Sequence, residues 1–298
     1  MTTVRILTKR NIKLFFKDKG MFFTALITPL ILLVLYATFL GNVYRDAFQA
    51  SLPQGFSVSD EVMNGLVGGQ LISSLLAVSC VTVAFCSNLL MVQDKVSGAR
   101  NDLTIAPVKP SAMALSYYFA STVSTLIISF VTIAAGCIYL AVIGWFLSFT
   151  DVLLIIADVI LLVLFGTALS SIINYVLHSQ GQISAVGSIV SSCYGFICGA
   201  YMPISNFGDV LQKVLSFLPG TYATSLLRNH TLRGVFEELE KIGIPDEAIK
   251  GLRDSVDCNI YFFENSVPEW SMFLILGGTV ALLIAAYVLI NKISKKKN

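Results

Sequence analysis

Apolar stretches of about 20 residues recur along this 298-residue chain, and this spacing sharply limits the folds that the chain can adopt. A helix of about 20 residues crosses a ~30 Å hydrocarbon core, where every backbone polar group needs an internal partner. The chain is 55% hydrophobic and only 13% charged, whereas soluble domains carry about 25% charged residues. We therefore predict an all-α polytopic membrane protein with six transmembrane helices, in which residues 1–298 form a single transmembrane domain.

The predicted spans leave four segments with other roles. The spans cover about residues 20–41, 66–92, 111–144, 151–177, 181–202 and 269–290. Residues 3–19 predict an amphipathic interfacial helix with six basic side chains, and residues 93–110 a charged cytoplasmic loop. Residues 206–232, broken at Pro219, predict a re-entrant extracellular hairpin before the last span, and residues 234–267 a small folded extracellular insertion. Pro29 is expected to kink the first span, and residues 42–65 to form a polar loop.

The basic residues predict the orientation of the chain. Six Lys and Arg lie in the amphipathic start, three in the 93–110 loop and four in the tail after the last span. Because cytoplasmic loops are enriched in Lys and Arg, both termini are expected in the cytoplasm. We expect membrane lipids, and no nucleic acid, among the partners of this chain.

Familiar catalytic and metal-binding motifs are absent from the sequence. A P-loop requires GxxxxGK[ST], and the chain contains neither Lys-Ser nor Lys-Thr. HExxH, GxSxG and CxxC motifs are missing as well, and the two histidines, His178 and His230, are expected to be solvated. We therefore expect no catalytic residue, no metal site and no cofactor bound by this chain.

Two ordered motifs carry a resemblance to a known family. The loop after the second span contains Asp94, Gly98, Leu103 and Pro107-Val108-Lys109. After the fifth predicted span the chain reads GAYMPISNFGDVLQKVLSFLPGTYATSLLR, in which the matching positions are Gly199, Pro203, Leu211, Pro219, Thr221, Tyr222 and Arg228. In this order, relative to six spans, the chain resembles the membrane subunit of type-2 ATP-binding-cassette exporters. It departs from that pattern at Gly208, at Gly220 and in the 234–267 insertion.

The resemblance implies a mechanism and a set of partners. Two such permeases, identical or similar, would form the pore as a dimer in the bacterial cytoplasmic membrane, and separate ATPase subunits would bind ATP and Mg beneath them. The loop would transmit ATPase closure to the membrane helices, with charges of both signs suited to a polar interface. The residues expected to couple to the ATPase are Asp94, Lys95, Gly98, Arg100, Asp102, Leu103 and Pro107.

Small residues recur along the fifth predicted span at intervals of three or four. Such a face lets helix backbones approach closely. It either packs inside one subunit or, as the resemblance favours, forms the dimer seam beside the first span. The residues of this predicted seam are Gly181, Ala185, Ser188, Ser192, Gly195 and Gly199.

Asp158 is the acidic residue placed deepest in a predicted span. It lies seven residues after Asp151, about 10 Å further into the membrane at ~1.5 Å per residue. A carboxylate at that depth is costly and should face protein or water. It either accepts hydrogen bonds from hydroxyls such as Ser124, Thr125 or Thr132, or lines the pore and contacts a cationic substrate; we favour the structural role.

The substrate is left open by the sequence. An apolar pore with aromatic and small residues suits an amphipathic drug, lipid or peptide, whereas a sodium exporter of the same family is an alternative. A secondary transporter is the alternative from another class, but it would show paired halves and broken helices, and no internal repeat is evident. An intramembrane enzyme is disfavoured because no nucleophile–base pair or metal set lies within the spans.

Overall fold

The computed structural model describes residues 2–53, 56, 58–105, 108–263 and 265–294. Within these ranges the chain is almost entirely helical. The first helices are α1 (Thr2–Lys17), α2 (Lys19–Leu35), a π-helical turn (Tyr36–Leu40), α3 (Gly41–Ser51), α4 (Asp60–Asn88), α5 (Leu90–Val96) and α6 (Ala99–Ile105). The others are α7 (Pro110–Ile143), α8 (Phe149–Tyr175), α9 (Gln180–Ile197), a 3₁₀ turn (Ile204–Asn206), α10 (Asp209–Leu215), α11 (Pro219–Ile242), α12 (Asp246–Ser255) and α13 (Glu269–Ser294).

Five helical segments of the described chain are long and apolar enough to cross a membrane. They are Lys19–Ser51, Asp60–Val96, Pro110–Ile143, Phe149–Tyr175 and Glu269–Asn291. The predicted all-α polytopic membrane fold is thereby confirmed. The fifth predicted span corresponds to α9, a helix of 18 residues rich in Ser, Gly and Gln that is not among these five. The count of six spans therefore stays a prediction.

The first membrane helix is longer than expected. The predicted end at Gly41 and the polar loop 42–65 are wrong, because α3 continues the helix to Ser51. Tyr44 and Phe48 explain the continuation: both are buried, and the Tyr44 ring stacks on Tyr36 at 5.5 Å. The helix runs through Pro29, and its irregular section is the π-helical turn that follows.

The N-terminal helix is shorter than expected, because Asp18 caps the next helix. We expected one amphipathic helix over 3–19, whereas α1 stops at Lys17 and Lys19 already belongs to α2. The Asp18 carboxylate accepts a hydrogen bond from the Met21 N–H and so caps α2. Leu7, Asn11 and Phe15 form the buried face of α1, which packs on α7.

Helix α4 is the centre of the molecule. Its whole apolar section is buried, surrounded by α2, α7, α8, α9 and α11. Small residues bring these neighbours close: a Cβ on Gly69 would lie 2.5 Å from Leu232 in α11, and one on Gly166 of α8 would lie 3.0 Å from the Val81 Cα. Close approach of this kind is how membrane helices gain packing energy.

The segment between α9 and α13 is folded throughout its described part. Helix α11 begins at Pro219, where the sequence predicts a break. The predicted boundary between hairpin 206–232 and insertion 234–267 is wrong, because α11 runs unbroken across it to Ile242. Gly234 explains this continuity: a Cβ there would lie 1.8 Å from the Phe146 carbonyl oxygen, so the glycine is a packing residue and not a breaker. Helix α12 and an antiparallel hairpin, β1 (Ile260–Phe262) and β2 (Asn265–Val267), complete the segment.

Candidate functional site

The loop between the second and third membrane helices consists of two short helices joined by a glycine turn. Helix α5 ends at Val96, α6 begins at Ala99, and Gly98 between them has φ +83°. Side chains with a Cβ rarely adopt this conformation, so the turn favours glycine. A Cβ at Gly98 would meet nothing within 4 Å. Backbone geometry, and not close packing inside the subunit, therefore accounts for the glycine.

Asp94 in α5 is held inside the subunit. Its side chain is buried and accepts hydrogen bonds from Arg10 Nη1 at 2.6 Å and from the Tyr117 hydroxyl at 2.5 Å. The hydrogen bond to Asp94 also raises the pKa of Arg10. Asp94 thus joins the loop to α1 and α7, and its carboxylate is not presented to a partner protein.

Lys95 is used internally as well. Its Nζ donates to the carbonyl oxygens of Asn174, Tyr175 and Leu177, at 3.3, 2.6 and 3.3 Å. These carbonyls close the C-terminal end of α8, where a positive charge is favourable. Asp94 and Lys95 together fix α5 to three other helices.

The second half of the loop is open to solvent. Asp102 is exposed, Arg100 is half-buried, and neither forms an ion pair within the described residues. Ile105 is 84% exposed. Leu103 packs against the apolar cluster around Phe15, which holds α6 in place. Pro107, the last predicted coupling residue, lies outside the described residues.

The six residues of the predicted seam divide into two groups. Gly181, Ala185, Ser188 and Ser192 lie exposed along one side of α9. The other two serve contacts within the chain. A Cβ on Gly195 would lie 2.4 Å from the Tyr201 ring, and Gly199, with φ +76°, makes the turn after α9.

A cavity of about 1270 Å³ opens between α9 and the first membrane helix. One wall carries aliphatic and aromatic side chains of the first helix, including Ile27, Ile31 and Phe39, and the opposite wall carries serines of α9. Of the described lining residues, Asp18 at one end is the one with a formal charge. The cavity could hold a large, mainly apolar molecule with hydroxyl-bonding groups.

Asp158 has a partner that sequence reasoning missed. Its Oδ2 lies 2.6 Å from His230 Nδ1, and both side chains are almost fully buried. The expectation of a solvated His230 is therefore wrong, and so is the expectation that hydroxyls of α7 bond Asp158. Thr125 instead contacts Ser87, and Thr132 donates to the Ile128 carbonyl. The sequence pattern places His230 in a re-entrant hairpin, whereas α11 packs directly against α8 and brings His230 to Asp158.

The Asp158–His230 pair belongs to a chain of ionisable side chains across three helices. His230 Nε2 lies 3.8 Å from the Glu269 carboxylate at the start of α13. Arg233, one turn further along α11, contacts Glu269 at 3.4 Å and Asp151 at 3.1 Å. Ionic contacts therefore fasten α11 to α8 and to α13.

A second buried ion pair closes the turn after α9. Arg228 is fully buried and donates to Asp257 at 3.0 Å and to the Gly199 carbonyl. The Asp257 carboxylate also accepts from the backbone N–H groups of Ile204 and Ser205. Burial raises the pKa of Asp257, and the Arg228 charge opposes this shift. Gly199 and Arg228, the two ends of the second sequence motif, are thus in direct contact.

The described residues contain no cluster of three or more His, Cys, Asp or Glu side chains that could hold a metal ion. Comparison with known families gives one match. The family model described as ABC-2 type transporter matches residues 2–231, which is most of the chain. No curated protein matches the chain.

Proposed function

The chain belongs to the ABC-2 type transporter family, and we propose that it is the permease of an ATP-driven exporter that works with separate ATPase subunits. Members of this family are the integral membrane component of ABC transporters and are not themselves catalytic. Coupling to an ATPase, dimer formation, export and the substrate class are the parts that we add.

The anchored loop carries the coupling proposal. Asp94 and Lys95 fix α5 to α1, α7 and α8, so a force on the loop reaches three helices at once. The half of the loop beyond Gly98 offers Arg100, Asp102 and the exposed Ile105 to a partner. Helix α5 is therefore held rigidly, and the part of the loop after Gly98 exposes charges of both signs and an apolar side chain. Such a surface suits binding in a cleft of an ATPase subunit.

The free side of α9 supports assembly as a dimer. Gly181, Ala185, Ser188 and Ser192 are exposed there, and small residues allow close helix contact in a membrane. Ser188 and Ser192 of this side also line the cavity, so a second copy, or a similar permease, packed against α9 would close the cavity into a path between two subunits. Gly195 and Gly199 are not part of this proposed seam, since Gly195 packs against the Tyr201 ring and Gly199 makes the turn after α9.

The cavity walls favour an amphipathic substrate such as a drug, lipid or peptide. Aliphatic side chains face serine hydroxyls across about 1270 Å³, enough for a molecule of drug size or larger. Sodium export is less well supported, because hard cations prefer carboxylate and carbonyl oxygens and Asp18 is the one carboxylate among the described lining residues.

The test measures ATP-dependent transport by the permease reconstituted with candidate ABC ATPase subunits. We expect the permease to co-purify with its ATPase. The rate of ATP hydrolysis by this complex should change when amphipathic substrates are added. Arg100→Glu and Ile105→Glu should weaken both effects by tenfold or more, whereas Lys250→Glu, a change at an exposed position of α12, should not. Transport that needs an ion gradient and persists without ATP would instead support a secondary transporter.

Cross-linking tests the dimer in the same complex. In a cysteine-free background, Ser188→Cys should form a disulfide between two permease subunits, and Leu282→Cys on the exposed face of α13 should not. Equal cross-linking at both positions, or none at position 188, would argue against the α9 seam.

A further inference from the structure

The cavity between α9 and the first membrane helix is elongated. Its lining follows the first helix from Asp18 at one end to Ser51 at the other. The segment Lys19–Ser51 has 33 residues, which corresponds to about 50 Å at ~1.5 Å per residue. The volume of about 1270 Å³ is spread over that length. A compact molecule would therefore fill only part of the cavity, whereas an extended chain would follow it from end to end.

One wall of the cavity carries hydroxyl groups at helical intervals. Ser184, Ser188 and Ser191 of α9 line it and share one side of that helix. They cover about 10 Å of the helix axis at ~1.5 Å per residue. Helical serines often donate to a carbonyl one turn back, as Ser51 does to Ala47. Within the described residues the three α9 hydroxyls make no hydrogen bond, so they can bind a ligand.

Thr28 adds a hydroxyl from the opposite wall. This residue lines the cavity and is only 5% exposed. Its hydroxyl has no hydrogen-bond partner in the part of the chain that the structure describes, whereas Thr24, one turn earlier, donates to the Gly20 carbonyl. A buried hydroxyl without a partner costs free energy. A ligand that supplies the partner would be bound more tightly for this reason.

The rest of the wall around Thr28 is aliphatic. Ile31, Leu35 and Val43 continue it along the first helix. Among the described lining residues, a formal charge occurs at Asp18 alone, at the end of the cavity. The occupant must therefore combine hydrogen-bonding groups along its length with an uncharged, apolar side.

We propose that the cavity binds its substrate as an extended, uncharged peptide whose backbone amides bond the α9 hydroxyls. An extended peptide places an amide group every ~3.5 Å. Inside a membrane each of these amides needs a partner, and the serines supply partners at the depth where water is scarce. The aliphatic side chains of the peptide would pack against the first helix.

Other substrate classes match the two walls less well. A lipid has polar groups at one end only, so its acyl chains would leave the α9 hydroxyls unpaired. A glycan carries hydroxyls on every side, and those that face the aliphatic wall would lose water without gaining a partner. The inference rests on the proposed function, since it names the substrate class of the same cavity.

Binding to the permease alone separates this inference from the proposed function. The full chain is placed in nanodiscs without ATPase subunits or ATP. The probe is a fluorescently labelled, capped hexapeptide of alternating leucine and alanine. A matched probe has the same side chains but a methyl group on each backbone nitrogen, which removes the N–H donors. Binding of each probe to protein-free nanodiscs is subtracted.

We expect the parent protein to bind the unmethylated probe at least tenfold more tightly than the methylated probe. The triple variant Ser184→Ala, Ser188→Ala, Ser191→Ala should bind the unmethylated probe at least tenfold more weakly. Alanine keeps the surface of α9 small, so the proposed seam is preserved. Ser271→Ala on α13, outside the cavity, should bind like the parent protein. Thermal unfolding shows that each variant folds.

Equal binding of the two probes by the parent protein would overturn the inference, and this comparison needs no variant. Unchanged binding by the triple variant would overturn it as well, and so would tighter binding of maltohexaose or lysophosphatidylcholine than of the hexapeptide. ATP-dependent transport is measured separately with the ATPase subunits. Transport of an amphipathic drug without any preference for the unmethylated peptide would contradict the inference alone. Peptide binding without ATP-dependent transport would contradict the proposed function alone.

Discussion

Asp94 and Lys95 are neighbours in sequence that bind different helices. Asp94 ties α5 to Arg10 and Tyr117, and Lys95 ties it to the end of α8. Side chains committed in this way cannot also bind an ATPase. In the coupling that we propose, they make the loop rigid, while Arg100 and Asp102 form no ion pair within the described residues.

Gly98 gives the first prediction at the residue scale. Its φ of +83° would cost a residue with a Cβ about 1–2 kcal/mol, and a β-branched residue more. Asparagine tolerates this region best. We expect Gly98→Val to lower ATP-dependent transport at least several-fold and Gly98→Asn to retain most of it, measured in proteoliposomes with equal protein.

Gly251→Val provides the matched control, since Gly251 lies in α12 with open space around it and an ordinary helical backbone. It should transport like the parent protein. Wild-type transport by Gly98→Val would show that the turn between α5 and α6 does not matter for coupling.

The sequence identified the loop but not the internal use of its charges. Asp94, Gly98 and Leu103 are recognisable from their order after a span. Arg10, which binds Asp94, and Tyr175, which binds Lys95, lie 84 and 80 residues away along the chain, and Tyr117, the other partner of Asp94, lies 23 residues away. A local pattern contains no signal for such long-range pairing, so free interface charges were the natural expectation.

At the scale of elements, α11 is a polar helix in an apolar environment. Residues 220–232 of α11 are all buried, and among them are Arg228, Asn229 and His230. Each of these has a partner: Asp257, the Cys258 carbonyl and Asp158. Burial of polar side chains is tolerated when they are paired, and this explains how a segment too polar to span alone can lie inside the helix bundle.

The contact between α8 and α11 gives the second prediction. His230→Phe leaves the Asp158 carboxyl group buried without its partner, and leaving a buried polar group unsatisfied costs about 1–3 kcal/mol. Adding Asp158→Leu removes the stranded carboxylate. The double variant should therefore be more stable than His230→Phe alone, as measured by thermal unfolding in detergent.

Lys241→Met is the control for this pair of substitutions, because Lys241 pairs with Glu238 on an exposed surface. Such pairs contribute about 0–1 kcal/mol, so little change is expected. Strictly additive effects of the two core substitutions would show that Asp158 and His230 do not stabilise each other.

The sequence indicates where α11 starts but not that the helix continues past Gly234. Pro219 marks a helix start because proline fits the first turn. Gly234 is a typical breaker in sequence, and only its contact with Phe146 shows why the helix continues. His230 and Arg233 lie three residues apart, on one side of a helix. This spacing is the one sequence feature that indicates a shared set of acidic partners, here Asp151, Asp158 and Glu269.

At the scale of the whole molecule, the apolar runs determine most of the architecture. Five of the six predicted spans coincide with helices long and apolar enough to cross a membrane. Helix α9 is the exception, because serines and glycines dilute its apolar character. Whether it crosses depends on what covers its exposed side, and one chain's sequence does not specify that.

Orientation gives the third prediction. With a cysteine-free chain in intact cells, a membrane-impermeant maleimide should label Lys250→Cys, whereas Arg100→Cys should react only after the membrane is opened. The basic loops are the reason, since they favour the cytoplasmic side. Labelling of both positions from the same side would contradict the predicted topology.

Native Cys258 lies in the same 234–267 segment as Lys250 but is not a usable reporter. It is buried, and burial raises the pKa of its thiol to about 12, so little thiolate exists at neutral pH. A chain that retains only Cys258 should therefore stay unlabelled until it unfolds, and this serves as the internal control.

The complete enclosure of α4 has a consequence for biogenesis. This helix enters the membrane early in synthesis, yet α11, whose Leu232 packs against Gly69, is made some 150 residues later. Until then the side of α4 around Gly69 lacks the helix that covers it, and Asp158 of α8 lacks its partner His230. The nascent chain thus has no finished core before its last third emerges. A ribosome that stalls before α11 leaves an intermediate with polar groups displayed to the bilayer, which is the kind of species that membrane quality-control proteases remove.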